Sequence, residues 1–225
     1  GLGDVYKRQP QDMLTAIGMQ GDLNNLNEYL NMNFYNSIYM YILMVFVVVM
    51  SARLSAKLLG DTSLAYFLNS SISRKKFMNS QIFVFNIELF LMMVCSVVSV
   101  LIGKLFLSES VFELSSFLKI NIELFALFML IGSLCFSISV FVNNESQAVA
   151  YSATFVVLLY ITDVFRKLVK SMKILDYCTL FTVYDTEKIC NNTTYFVVSS
   201  VVMIVSAISI YAGSIYYFNK RDLYL

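Results

Sequence analysis

Residues Tyr29–Ala52 read YLNMNFYNSIYMYILMVFVVVMSA, a run without a single charged side chain. A bilayer hydrocarbon core about 30 Å thick is crossed by about 20 apolar helical residues, and this run supplies them. A soluble helix would turn a polar face outward every 3.6 residues, and positions 38–50 show none. Four more such runs follow. Phe77–Gly103 carries only Glu88, while Leu124–Asn144, Ser146–Thr162 and Ile189–Asn219 carry no charge. Spans are predicted at 34–54, 81–103, 121–142, 147–164 and 195–218. The fold class expected is all-α, a polytopic transmembrane helix bundle.

Composition agrees. The 225 residues are 58% hydrophobic and 14% charged, with a mean hydropathy of +0.70, whereas soluble domains are about 25% charged. Sixteen basic and 15 acidic residues nearly cancel, so no net field points to nucleic acid. One proline and eight glycines exclude collagen-like and low-complexity classes. The absence of histidine removes His-based catalysis and most zinc or haem sites. No Gly-x-x-x-x-Gly-Lys-Ser/Thr is present, so the chain has no phosphate-cradling loop of that kind. No cofactor is expected, and no enzyme activity.

Charge sets the orientation. Residues 10–33 hold Asp12, Asp22 and Glu28 but no Lys or Arg. The segment after the first span holds Arg53, Lys57, Arg74, Lys75 and Lys76 against Asp61 alone. The positive-inside rule puts that segment, 55–80, in the cytoplasm and 10–33 outside. Alternation then places Asn143–Ser146 inside, 165–194 outside and Lys220-Arg221 inside, with Tyr216, Tyr217 and Phe218 as an inner aromatic belt. Arg166, Lys167, Lys170 and Lys173 run against this charge rule; opposite Phe165, Leu168, Val169, Met172 and Leu175 they read as an amphipathic helix lying in the interface. Residues 1–9, with Asp4-Val5-Tyr6-Lys7-Arg8-Gln9, resemble a translated sequencing adaptor and are set aside. The expectation is a chain cut before Pro10.

The loop Arg53–Lys76 carries the most information. Gly60 can end a helix, and Asp61 or Thr62 can cap the next. Ser71 and Ser73 give a second capping signal before the following span. The residues read either as a basic loop that only fixes topology, or as a short helix at the tips of two long ones, able to pass motion from a soluble partner into the membrane.

This stretch resembles the cytoplasmic loop of type-2 ATP-binding cassette (ABC) transporter permeases. That family often reads Gly, a small polar residue, two or three residues, a Leu-Leu pair, then Pro-x-Ser-Arg. The match is Gly60, Thr62 or Ser63, Phe67-Leu68 and Ile72-Ser73-Arg74. The ending Phe218-Asn219-Lys220-Arg221-Asp222-Leu223 and residues 13–34, with Ile17-Gly18-Met19 and Glu28-Tyr29-Leu30, are also similar to the family's. Ser71 stands where the family has proline, and Lys57-Leu58-Leu59 replaces its acidic residues. The resemblance implies a permease domain over 34–225, with five of six spans present and the first lost by truncation. It implies a coupling helix at Gly60–Arg74 that docks on a separate ATPase through Gly60, Asp61, Thr62, Ser63, Leu64, Tyr66, Phe67, Leu68, Ile72, Ser73 and Arg74. It also implies a second contact at Asn143–Gln147, re-entrant helices within Arg166–Lys188, pairing of two permease chains, and ATP-driven export across a bacterial cytoplasmic membrane. The alternative from the residues alone is an ATP-independent membrane anchor or assembly protein.

Other features are weighed more simply. Glu88 reads as an acid near the cytoplasmic third of its span, paired with a polar neighbour or protonated. Glu123 and Asp163 fall near outer span ends, where water is expected to reach them. Small residues recur along the last span as Ser199, Ser206 and Gly213, with Ser200, Ala207 and Ser214 beside them, which suits close packing within the chain or a homodimer seam. Cys178 and Cys190 are free or bridged in the outer segment, and Cys95 and Cys135 read as packing residues.

Overall fold

The computed structural model describes residues 30–57, 73–105, 112–142, 144–168 and 179–220. Among these residues every regular element is helical. Helix α1 (Tyr39–Ala52) is flanked by wider π-helical turns at Asn31–Ile38 and Arg53–Lys57. Then come α2 (Arg74–Leu105), α3 (Leu114–Phe141), α4 (Glu145–Leu168), a 3-10 turn (Leu180–Val183), the short α5 (Thr186–Asn191) and α6 (Thr193–Lys220). Five helical stretches are long and apolar enough to cross a membrane: Asn33–Ala56 and the whole of α2, α3, α4 and α6. The chain is a multi-pass membrane protein with an all-α bundle; four of the five predicted spans fall within these stretches, and the third, 121–142, runs one residue past Phe141. Lipid offers no partner for backbone amides, so each crossing stretch must satisfy its own.

The helices begin where the sequence can cap them. Ser73 opens α2, taking Lys76 N–H on its Oγ at 3.4 Å and Phe77 N–H on its carbonyl at 3.0 Å. Arg74, Lys75 and Lys76 then oppose the helix dipole, which is tolerable where Lys75 and Lys76 stand exposed. At 32 residues, α2 runs about 48 Å and outreaches a hydrocarbon core of about 30 Å. Asn144 Oδ1 accepts Ser146 N–H at 2.9 Å before α4, and Asn192 Oδ1 accepts Tyr195 N–H at 3.1 Å at the start of α6.

Helix α3 is the axis of the bundle. Its most apolar stretch is 67% buried, against 22% for α2 and α4 and 28% for α6. Leu124, Leu127, Phe128, Ile131 and Phe136 of α3 are enclosed, and Leu43 and Val47 of α1 and Phe85 and Leu89 of α2 pack with them. Gly132 admits the tip of the Phe85 ring where a Cβ would sit 2.6 Å from it. The α3–α6 seam is lined on α6 by Ser200, Met203, Ala207, Tyr211, Ser214 and Phe218, and Ser137 and Ser214 join hydroxyls across it at 2.7 Å. The small residues Ser200, Ala207 and Ser214 therefore serve packing within the chain, while a Cβ on Gly213 would meet nothing within 4 Å. The outward faces of α2, α4 and α6 show Phe83, Leu91, Val98, Leu158, Val201 and Val205, the surface expected of helices bathed in lipid.

Candidate functional site

Three places in the bundle can carry function. The first is the end where α1 finishes and α2 and α4 begin, called here the Arg53 end. Arg53 Nε lies 3.9 Å from Glu145 Oε1, and Ala52, Ala56 and Ala148 are fully buried against one another beside it. The end of the first crossing stretch and the first turn of α4 thus meet at one end of the bundle. Of the residues expected to dock on an ATPase, Ser73 and Arg74 form the cap and first residue of α2. Gly60, Asp61, Thr62, Ser63, Leu64, Tyr66, Phe67, Leu68 and Ile72 lie outside the described residues, as does Asn143 of the second expected contact. Tyr216 and Tyr217 are exposed at this end, with Lys220 Nζ 4.5 Å from the Tyr216 ring centre, while Phe218 turns into the core.

The second place is an apolar groove of about 380 Å³ between α1 and α4, lined by Met44, Val45, Val48, Val49, Val149, Ala153, Val156 and Val157. Tyr41 and Tyr160 complete the lining, with their hydroxyls 2.7 Å apart and their rings edge to face at 5.4 Å. No span-by-span reading of hydropathy could have found it, because it exists only where two helices diverge.

The third place is the opposite end, named for Tyr184. Two sequence expectations are corrected here. Glu123 and Asp163 do not reach water: Glu123 is 0% and Asp163 1% exposed. Glu123 lies deep because α3 starts at Leu114, several residues before the predicted span, and because α5 and α6 cover that side. Ser200 Oγ donates to Glu123 Oε2 across the α3–α6 seam. Asp163 is held by Arg166 Nη2 at 2.9 Å and Lys167 Nζ at 2.8 Å. Arg166 and Lys167 therefore belong to the last turn of α4 and ion-pair with Asp163, not to a separate interfacial helix; Lys170 and Lys173 lie outside the described residues. Glu88 sits midway along α2, half-buried, and its Oε2 has no partner among the described residues. Cys135 is buried as expected, whereas Cys95 faces outward. Cys178 falls outside the described residues, and with it the question of a bridge to Cys190.

Between α4 and α6, the 3-10 turn and α5 close this end. Thr179 Oγ1 donates to Leu159 O at 3.0 Å, and Tyr195 OH to Val183 O at 2.8 Å. Asp185 caps α5, accepting Lys188 N–H at 3.2 Å and pairing with Lys188 Nζ at 2.9 Å. Burial pulls the Asp185 carboxyl up, but the Lys188 side chain and backbone outweigh it and leave the group below the usual carboxylate range. The same contact raises Lys188. Burial pushes the Tyr184 phenol well above its ordinary value and lifts the Cys190 thiol, so both stay neutral. Comparison with protein-family models, with curated proteins and with solved structures finds no match to this chain.

Proposed function

We propose that this chain is the permease subunit of an ABC exporter in a bacterial cytoplasmic membrane, driven by ATPase subunits on separate chains. The observation that carries the reading is the meeting at the Arg53 end. The two segments that resemble ATPase contacts, Gly60–Arg74 and Asn143–Gln147, are far apart in sequence, yet their bases are joined by Arg53–Glu145 and the Ala52–Ala56–Ala148 contact. A soluble engine gripping the 60–74 segment would pull on α1 and α2 directly and on α4 through that junction. The orientation from Arg53, Arg74, Lys75 and Lys76 puts this end in the cytoplasm, where ATP is. The α1–α4 groove supports the reading in a second way, since it offers an apolar surface between two crossing helices. Two permease chains would pair to enclose a pathway.

The test is co-purification of the tagged chain with an ABC ATPase encoded beside it. Deleting residues 60–74 should abolish both the association and the stimulation of ATP hydrolysis. If both survive the deletion, the coupling assignment is wrong and an ATP-independent anchor becomes the better reading. Labelling of intact cells gives an independent check, because reagents confined to the exterior should not reach residues 55–80.

A further inference from the structure

Two acids are enclosed at the Tyr184 end, and the chain treats them differently. Asp163 is met by a guanidinium three residues on and an ammonium four residues on. Glu123 accepts a hydrogen bond from Ser200, with Ser199 beside it donating to Tyr195 O, and its Oε1 has no partner among the described residues. A cation is available by spacing: Lys119 precedes Glu123 by four residues on α3, where opposite charges ordinarily pair. Its ammonium goes to Thr193 Oγ1 on α6 instead, at 3.3 Å. A carboxylate enclosed without a counter-charge costs several kcal/mol or more, and such a group sheds its charge by taking up a proton.

We propose that Glu123 is a proton-binding site, filled at neutral pH, whose proton lets the Tyr184 ends of α3 and α6 stay packed. The ionisable groups around it offer no substitute for that proton. Lys119 is engaged with Thr193. Lys188 of α5 is paired with Asp185. Tyr184 and Cys190 are neutral phenol and thiol, and the Tyr184 hydroxyl has no partner among the described residues. Tyr195 of α6 donates to Val183 O, Tyr35 before α1 is bonded to Ser96 on α2, and Asp163 on α4 is already neutralised. A metal ion in place of the proton would need several converging oxygen ligands, and no group of three acidic or sulfur ligands forms among the described residues. A proton needs one lone pair.

The proton also ties the two helices together. When Glu123 gives it to water, the carboxylate left behind has one cation on its own helix face, Lys119. A turn of Lys119 toward it would draw the ammonium away from Thr193, one of the contacts holding α3 to α6. Proton loss therefore weakens this end of the seam.

Infrared spectroscopy of the full chain in detergent tests the site. Glu88, the other intramembrane acid short of partners, is first replaced by E88Q to clear the background. At neutral pH the E88Q chain should show a protonated-carboxyl carbonyl band that shifts in heavy water. The band should persist with D163N added and vanish with E123Q added. If E88Q/E123Q does not fold, E88Q/E123D should move the band in frequency. A missing band in the E88Q chain, or a band unchanged by either Glu123 substitution, overturns the proposal. Loss of the band on adding sodium chloride would assign the site to a metal cation and overturn it equally.

Discussion

Replacing Gly132 by Ala tests the centre of the bundle. A Cβ at this position would stand 2.6 Å from Cε1 and Cζ of Phe85 and 3.6 Å from Val47 Cγ1. Ordinary contact begins at 3.4 Å, so the ring would have to retreat by about 1 Å. It has little room. Phe85 is fully enclosed, with Phe46 stacked 6.1 Å away and Phe136 tilted at 6.4 Å. Overpacking of this kind costs about 1–3 kcal/mol. Opposing it is the gain of about 1 kcal/mol when Ala replaces Gly inside a helix. The comparison that removes this second effect is G213A on α6, where the added methyl meets nothing within 4 Å. The difference between the two variants then isolates the clash, and we expect G132A to be less stable than G213A by about 1–3 kcal/mol. Reversible unfolding in mixed detergent measures both. F85L should shrink the gap, because the shorter side chain lacks the two ring atoms that collide. Equal stability of G132A and G213A, or no change of the gap in the F85L background, would refute the close approach of α2 to α3.

Two further predictions concern the Tyr184 end. R166Q combined with K167Q leaves the Asp163 carboxylate enclosed without a cation and should cost about 3–5 kcal/mol; D163N should cost less, about 1–3 kcal/mol, because Arg166 and Lys167 are 23% and 38% exposed and can rehydrate. The reverse order in an unfolding titration would count against the buried-acid geometry. The Asp185 carboxyl lies below its ordinary range, so the capping it gives α5 is fully present above that range and is lost as pH falls from about 4. Hydrogen exchange at the Lys188 and Ile189 amides should accelerate with acid in the parent chain and lose that acid-side change in D185N.

The five crossing helices were legible because each is a long apolar run that charge does not interrupt. Their depth in the protein was not. Hydropathy placed the third span at 121, which put Glu123 at its lip; the helix begins at Leu114 because Ser116 and Lys119 are helical too. A signal was available. Polar residues lie on several sides of α3, among them Asn121, Glu123, Ser133 and Ser139, and all four are buried. A membrane helix with polar groups all round must be surrounded by protein rather than lipid. Asp163 was legible in a similar way, since Arg166 and Lys167 follow it at three and four residues. The apolar groove was not legible at all, because it depends on the separation of α1 and α4.

The two ends of the bundle are held by contacts of different strength, and this bears on how it could move. At the Arg53 end the α1–α4 junction includes, among the described residues, an ion pair at 3.9 Å between partly exposed groups and a contact among alanines. Exposed pairs of this kind are worth about 1 kcal/mol or less, and methyl groups slide over one another without breaking any hydrogen bond. The Tyr184 end is fastened by Glu123 with Ser200, Lys119 with Thr193, Thr179 with Leu159 O, Tyr195 with Val183 O and the double pairing of Asp163. Among the described residues, the α1–α4 junction can therefore shift at lower cost than these side-chain hydrogen bonds can be broken. Loss of the proton proposed for Glu123 would act at the Tyr184 end, because it replaces a neutral contact by a charge for which Lys119 is the cation on the same helix face.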